Sequence, residues 1–535
     1  MTLTEAQNEV FGSRERADEL IGWLRDYAGD RINSRLIDER RCIPPNLVLD
    51  FGNRGMLGLQ VPTQLGGLSL ANRDAMRVVQ QLAAIDLSLA TFAVNHNFLG
   101  VRPIQRHGTQ ALRDELLPLL AQGRELAAFA LTEPGAGSNP QHLAATAVTQ
   151  DGGGWRLRGT KIWSGSASWA GVINVFAKIP NGSNGSGGIT GFAVRSGAAG
   201  LRQGPEALTM GMRGMVQNTI HLEEVLVESG QLLGDVGAGM SVAQDSLTFT
   251  RLAIGAKSIG GMKRALQLTH RYAARRSVAT GRLLDNPITL ARLSDLTAAT
   301  IAIEALVGEI CDLLDQGRSV PMEPYIACKT AGPEFLWKSV DDLVQLLGGR
   351  GYMETNLAPQ LLRDARVFRI FEGPTETLNM FLGLRVLHQG GELQRFLCDE
   401  LDAHTVSERL TQATEEIGTR WSRPTSAAAD QLTASRWTSS LVGQVATHAI
   451  LWAALQRREE RAPSGDGARA VEWLRERFDQ TLTRALATAS SPAARFSAEE
   501  ATDLISSYGE AIGDLEQALP GEEQELDGLL RREPM

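Results

Sequence analysis

The chain has 535 residues, 43% of them hydrophobic and 21% charged, the balance of a globular protein with several domains and a large core. Its net charge of -9 argues against binding nucleic acid, which needs a basic surface, and no run of about 18 apolar residues offers a membrane-spanning helix. Cys42, Cys311, Cys328 and Cys398 are widely spaced with no CxxC pair, which argues against a disulfide framework or a metal site and suits a reducing compartment. With a polar, acidic N-terminus, the expected location is cytoplasmic.

Residues 1–125 read as helical. Leu20, Trp23 and Leu24, then Val78, Val79, Leu82 and Ala83, recur at helical spacing, and VPTQLGGLSL (61–70) is a turn-rich break. From 126 to 237 the alternating runs GWRLRGTKIW, INVFAKI and GFAVRS, separated by Gly, Asn and Ser clusters, predict a β domain, with NGSNGSGG (181–188) as a hairpin loop. Helical periodicity returns in SVAQDSLTFTRLAIGAKSIGGMKRALQLTHRYAARR and runs through 300–346 and 376–389, making 238–390 a second helical domain. Residues 391–535 read as a further helical domain, broken at SRPTS (422–426), APSGDG (462–467), SSPAA (490–494) and Pro520-Gly521. This last segment holds four of the nine tryptophans, Trp421, Trp437, Trp452 and Trp473, which a disordered tail would lack. It also carries 15 Arg and no Lys against 25 Asp and Glu, so the acidic balance of the chain belongs to it.

Five short segments stand out: AFALTEPGAGS (128–138), GTKIW (159–163), GMRG (211–214), QLLGGRGY (345–352) and RDARVFRIFEG (363–373). In the last, Glu372 stands between apolar Phe371 and the turn Gly373-Pro374. A carboxylate with apolar neighbours can act as a general base of raised pKa; read by position alone, it is more often a helix-capping residue near a turn. The eight histidines are scattered without metal spacing, and none is assigned a role.

In order and spacing, these segments together resemble the acyl-CoA dehydrogenase family over residues 20–385. The resemblance implies a mostly α fold with a central β domain: an N-terminal helical domain (1–125), a middle β-barrel-like domain (126–237), a C-terminal four-helix bundle (238–390), and an additional helical domain (391–535) similar in length and character to that of the very-long-chain branch. It implies FAD as cofactor, held between domains and subunits, and therefore a homo-oligomer, dimer or tetramer. A dinucleotide-binding βαβ unit is not expected, because no GxGxxG follows a strand. The implied reaction converts an acyl thioester, on CoA or on an acyl-carrier protein, to its 2,3-enoyl form, with an electron-transfer flavoprotein as acceptor.

The resemblance also carries residue roles. Glu372 is the base, and its backbone N–H shares the thioester carbonyl with a ribityl hydroxyl. No carboxylate stands at Thr250, where some relatives keep their base. Arg251 lies near base and thioester, and Gly373 meets the substrate. Phe129, Leu131 and Thr132 line the flavin, and Ser138 touches the FAD phosphate and the thioester arm. Trp163 stacks on the flavin. Gly165 stands where relatives carry a hydroxyl for flavin N5, a contact that Ser164 or Ser166 can take over. Arg276 reaches the FAD pyrophosphate of a neighbouring subunit, Gln345, Gly348 and Gly349 close around the adenosine half, and Thr375 joins the cofactor contacts. Thr248 replaces an Asp of CoA-binding relatives, Pro374 a Thr, and Asn286-Pro287 a pair that meets the cofactor. Two other readings stay open: a flavin oxidase or monooxygenase of the same fold, and a non-catalytic flavin-binding assembly module.

Overall fold

The computed structural model describes residues 5–180, 188–388, 390–421, 428–489 and 496–513. The expected loop at 181–187 and the breaks at 422–426, 490–494 and 520–521 lie outside them. The chain opens with seven helices: α1 (Glu5–Arg31), α2 (Ser34–Arg40), α3 (Pro45–Asn53), α4 (Asn72–Ile85), α5 (Leu87–Val94), α6 (Arg102–His107) and α7 (Gln110–Ala121). Asp86 starts α5 by accepting the Leu89 N–H at 2.8 Å, an N-cap that satisfies a donor the first turn leaves free. Between α5 and α6 the chain widens into a π-turn, Asn95–Val101.

Eight strands form one sheet: β1 (Ala127–Ala130), β2 (Thr146–Thr149), β3 (Trp155–Gly165), β4 (Val172–Ile179), β5 (Gly188–Arg195), β6 (Leu201–Glu206), β7 (Gln217–Val227) and β8 (Leu232–Leu233). Their order is β6-β7-β3-β2-β4-β5-β8, with β1 added beside β4 in parallel register. The register of β3 against β7 slips between Leu157 and Gly159 and again between Lys161 and Ser164. Such bulges re-aim side chains and cluster near functional sites.

The long helix α8 (Gly239–Arg275) then leads through a two-stranded hairpin, β9 (Ser277–Val278) and β10 (Gly281–Arg282), into α9 (Pro287–Asp315), α10 (Met322–Leu347), α11 (Leu357–Arg366) and α12 (Thr375–His388). Asn286 and Pro287 open α9 as N-cap and first helical residue, the Asn286 side chain accepting the Ile288 N–H at 3.0 Å. That gives the departure at this pair a structural reason.

The C-terminal extension comprises α13 (Glu392–Arg395), α14 (His404–Trp421), α15 (Ala428–Arg461), α16 (Gly465–Ala489), α17 (Ala498–Ser506) and α18 (Tyr508–Ile512). It shares one continuous core with the helices before it: Val445, Ile450 and Leu455 of α15 belong to the same buried cluster as Leu252, Ile303 and Leu382. At the crossing of α12 and α15 a Cβ added at Gly383 would strike the Ser439 carbonyl, and one at Gly443 the Asn379 carbonyl, so the two backbones meet through glycine. Trp473 and Arg477 of α16 both donate to Asp295 of α9, at 3.0 and 2.6 Å. No helix among the described residues is long and apolar enough to cross a membrane.

Candidate active site

Glu372 lies in the link between α11 and α12. Val367–Arg369 closes as a 3-10 turn, and the chain then passes through Glu372 at φ 57° and Gly373 at φ 103° before α12 begins at Thr375. A glutamate in the left-handed region is held there only by its surroundings, and these are visible. The Arg251 side chain, from α8, donates through Nε to the Glu372 carbonyl at 3.4 Å. Phe371 packs edge-on against Phe368 at 5.3 Å. On either side, Arg369 Nε and Thr375 Oγ1 both donate to Glu334 Oε1 of α10, at 2.7 and 2.9 Å. Thr375 is thus a brace for the loop.

The Glu372 carboxylate has little to hold. Its Oε2 is shielded from solvent and has no hydrogen-bond partner. Burial pushes its pKa up, while Arg251, Lys257 and Lys329 pull it partly back. The two lysines were not legible in the sequence. Lys257 of α8 and Lys329 of α10 are both fully buried, and burial brings each ammonium down to about 7 against the upward pull of Glu372. Lys257 Nζ donates to Thr91 Oγ1 of α5 at 3.1 Å and lies 4.6 Å from the Phe368 ring centre and 5.2 Å from that of Phe371. Lys329 Nζ is buried without a hydrogen-bond partner. Thr250 turns its hydroxyl back to the Ser246 carbonyl at 2.8 Å, so Glu372 is the one carboxylate of the residue pair weighed for the base.

A second constellation gathers where β1 meets β3. Trp163 lies within the second bulge with φ 57° and exposes 61% of its surface, an unusual conformation and setting for an indole. Ser164 and Ser166 are buried beside it, and neither hydroxyl has a hydrogen-bond partner. Phe129, Leu131 and Thr132 are half-buried at the end of β1, and Ser138 lies exposed on the following loop. The connection is pinned by a pair that sequence reading passed over, although both members stand inside the motifs. Lys161 Nζ, fully buried, donates to Glu133 Oε1 at 2.7 Å and to the Leu131 carbonyl at 3.2 Å. Glu133 also accepts the N–H groups of Ala144 and Ala145 at 2.6 and 3.1 Å, and the Ile162 N–H closes on the Thr132 carbonyl at 2.9 Å. An exposed aromatic face beside two unpartnered hydroxyls fits a planar, hydrogen-bonding ring system such as a flavin.

Arg276, Gln345, Gly348 and Gly349 are not part of either group. All four are exposed. Arg276 follows the end of α8, 24 residues of helix beyond Arg251, which is about 36 Å at 1.5 Å per residue. Gln345, Gly348 and Gly349 stand at the end of α10, where Gly348 stops the helix at φ 58°.

Models of the acyl-CoA dehydrogenase N-terminal, middle and C-terminal domains match residues 14–124, 128–225 and 237–387 in that order. The chain belongs to the acyl-CoA dehydrogenase family. The mitochondrial very long-chain specific acyl-CoA dehydrogenase of Bos taurus is 32% identical over 381 residues, 70% of this chain and 58% of its own length. The probable acyl-CoA dehydrogenase FadE10 of Mycobacterium bovis is 29% identical over 380 residues, 69% of this chain and 58% of its own. The chain therefore spans less than two thirds of these relatives. Among solved structures, an acyl-CoA dehydrogenase complexed with FAD from Bacillus anthracis superimposes with a TM-score of 0.72 at 23% identity, over 94% of this chain and 91% of that one, so the likeness of fold extends through the C-terminal helices. Among the described residues no group of three or more His, Cys, Asp or Glu could hold a metal ion.

Proposed function

We propose that this acyl-CoA dehydrogenase family member is an FAD-dependent dehydrogenase of acyl thioesters, carried on CoA or on an acyl-carrier protein, in which Glu372 removes the proton α to the thioester carbonyl. The observation that carries the reading is the Glu372 carboxylate itself: half-buried, with Oε2 shielded from solvent and unpartnered, basic beyond an ordinary glutamate, and held on a left-handed backbone by Arg251. A carboxylate so placed costs stability and suits proton abstraction. FAD, when bound, supplies the acceptor for the β-hydride, a role no side chain can fill.

Trp163 is the stacking face, with Phe129, Leu131 and Thr132 around it, and the Ser164 or Ser166 hydroxyl is free to donate to the ring where Gly165 cannot. The Glu372 N–H, together with a ribityl hydroxyl of FAD when bound, would hold the thioester oxygen as negative charge develops there; Gly373 meets the substrate and Ser138 the thioester arm. Arg276, Gln345, Gly348 and Gly349 serve the cofactor of a second copy, so the active species is a homo-oligomer, and an electron-transfer flavoprotein takes the electrons. A cytoplasmic setting belongs to the same reading and is supported by four free cysteines.

The test is an anaerobic titration of wild type and Glu372→Gln with acyl-CoAs of graded length, followed by flavin absorbance. Wild type bleaches and the variant stays yellow while retaining its flavin; bleaching in both removes Glu372 as base. Slow return of colour in air separates a dehydrogenase from an oxidase.

A further inference from the structure

Gly165 leaves a space that other side chains fill. By resemblance it stands where a hydroxyl would meet flavin N5, and it is half-buried as the last residue of β3. A Cβ added there would lie 3.1 Å from Asn95 Nδ2, 3.4 Å from Gln217 Nε2 and 3.4 Å from Met215 Cε. The two nitrogens belong to side-chain amides, and Asn95 is the nearer. A hydroxyl-bearing side chain at 165 and the Asn95 amide therefore compete for one place.

Three features hold Asn95 there. It opens the π-turn between α5 and α6, a local widening of the kind that recurs at functional sites. The next residue, His96, ties that turn to β1 and α7 through the Ala127 N–H and the Leu120 carbonyl. The GMRG segment is the third. The Met212 N–H donates to Asp364 Oδ1 at 2.6 Å, the Ile43 N–H to the Gly214 carbonyl at 3.1 Å, and the Ser166 N–H to the Val216 carbonyl at 2.8 Å. Held at these points, the segment sets Met215 against Asn95. Among the described residues, Asn95 Nδ2 donates only to the Met215 thioether, at 3.7 Å. A thioether is a weak acceptor and an amide nitrogen carries two donors, so a donor remains for a better partner. Asn95 is half-buried, whereas the Ser164 and Ser166 hydroxyls are shielded from solvent.

We infer that the side-chain amide of Asn95 hydrogen-bonds the flavin edge that faces Gly165, and that residue 165 is a glycine to make room for it. The inference rests on the flavin-dependent reading above. It adds Asn95 to Ser164 and Ser166 as a donor to that edge and ranks it first. A donor fixed at this edge binds more strongly to the electron-rich reduced ring than to the oxidised one, and so favours reduction.

The test uses the full-length, FAD-loaded protein, with the flavin reduction potential and the Kd for FAD as readouts beside turnover. Asn95→Leu keeps the volume and removes the amide. It should move the two-electron reduction equilibrium about tenfold toward the oxidised form, about 30 mV lower in potential, and weaken FAD binding several-fold. Gly165→Thr alone crowds the amide and should weaken FAD binding as well. Asn95→Ala combined with Gly165→Thr puts a hydroxyl where the amide stood, and should bring the potential back near wild type. Asn95→Asp, of equal shape, gives a second reading should Asn95→Leu fail to fold: a carboxylate beside the ring lowers the potential as it ionises. An unchanged potential in Asn95→Leu, or a shift confined to Ser164→Ala or Ser166→Ala, overturns the inference and leaves the dehydrogenase reading standing. A fall in Asn95→Leu that the double variant does not recover marks a merely structural asparagine and overturns it too. If shift and recovery both appear but no acyl thioester bleaches the flavin, the dehydrogenase reading falls alone; a wild type that holds no FAD sinks both.

Discussion

Glu372 gains basicity by losing water, and the cations around it set how much. Its raised pKa comes from burial, opposed by Arg251, Lys257 and Lys329. A base works deprotonated, so kcat/KM should rise with pH through that pKa and fall away below it, with the acidic limb above the value of about 4.3 for a free glutamate. Arg251→Met removes a cation that lowers the pKa, so the limb moves to higher pH; a limb that stays in place in a pH profile of the variant removes Arg251 from the electrostatics of the base. Glu372 and Trp163 could be singled out as candidates because each stands in a short motif, and Arg251 by resemblance. Lys257 could not. Lys263, six residues later on the same helix, is exposed and paired with Glu304, whereas Lys257 is fully buried. Six residues are not a whole number of 3.6-residue turns, so the two lysines face different ways, and a helix buried on most of its faces gives no apolar stripe by which to sort them.

At the scale of elements, the candidate flavin face depends on how β1 and β3 are tied together. The alternation in GWRLRGTKIW predicted a strand and β3 is one, but the bulges that turn Trp163 outward left no trace in that pattern. The tie is the buried pair Lys161–Glu133. Removing one partner leaves an unpaired buried charge, so Lys161→Met should cost roughly 3–5 kcal/mol in denaturant unfolding; the double variant with Glu133→Gln should recover much of it, and a cost below about 1 kcal/mol for the single change would assign the tie to the backbone bonds alone. A second tie joins the helical and sheet layers. His96, on the π-turn, accepts the Ala127 N–H of β1 at Nδ1 (3.2 Å) and donates from Nε2 to the Leu120 carbonyl of α7 (3.1 Å). The first bond needs the neutral ring, since a protonated Nδ1 cannot accept, and burial brings the ring's pKa down to about 4. The folded pKa is depressed, so this contribution is full above the unfolded value of about 6.5 and is lost as pH falls from there toward the folded one. In His96→Gln, stability measured between those limits should depend less on pH than in wild type.

For the whole molecule, composition predicted a folded C-terminal extension but not what it covers. Its tryptophans marked it as packed; only the structure shows α15 laid on α12 through Gly383 and Gly443 and sharing the core of the preceding bundle, a relation between residues about 60 apart that periodicity does not encode. The extension leaves the far ends of α8 and α10 uncovered, and there Arg276, Gln345, Gly348 and Gly349 remain exposed. The span of α8 decides what they can do. About 36 Å of helix separates Arg276 from Arg251, which keeps Arg276 away from the Glu372 group of its own chain, whereas a symmetric pair of chains can bring the Arg276 of each to the site of the other. That arrangement has a consequence a single-chain site lacks. Arg276→Glu and Glu372→Gln should each be inactive alone, the first through weak FAD retention and the second through loss of the base. When the two are unfolded together and refolded with FAD, a mixed pair holds one site with an intact Glu372 from one chain and an intact Arg276 from the other. Activity should return to roughly a quarter of wild type, since half of randomly formed pairs are mixed and one of their two sites is whole. A mixture as inactive as its parents, with mixed pairs demonstrated by mass, would confine the cofactor to one chain and leave Arg276 as a solvated helix end.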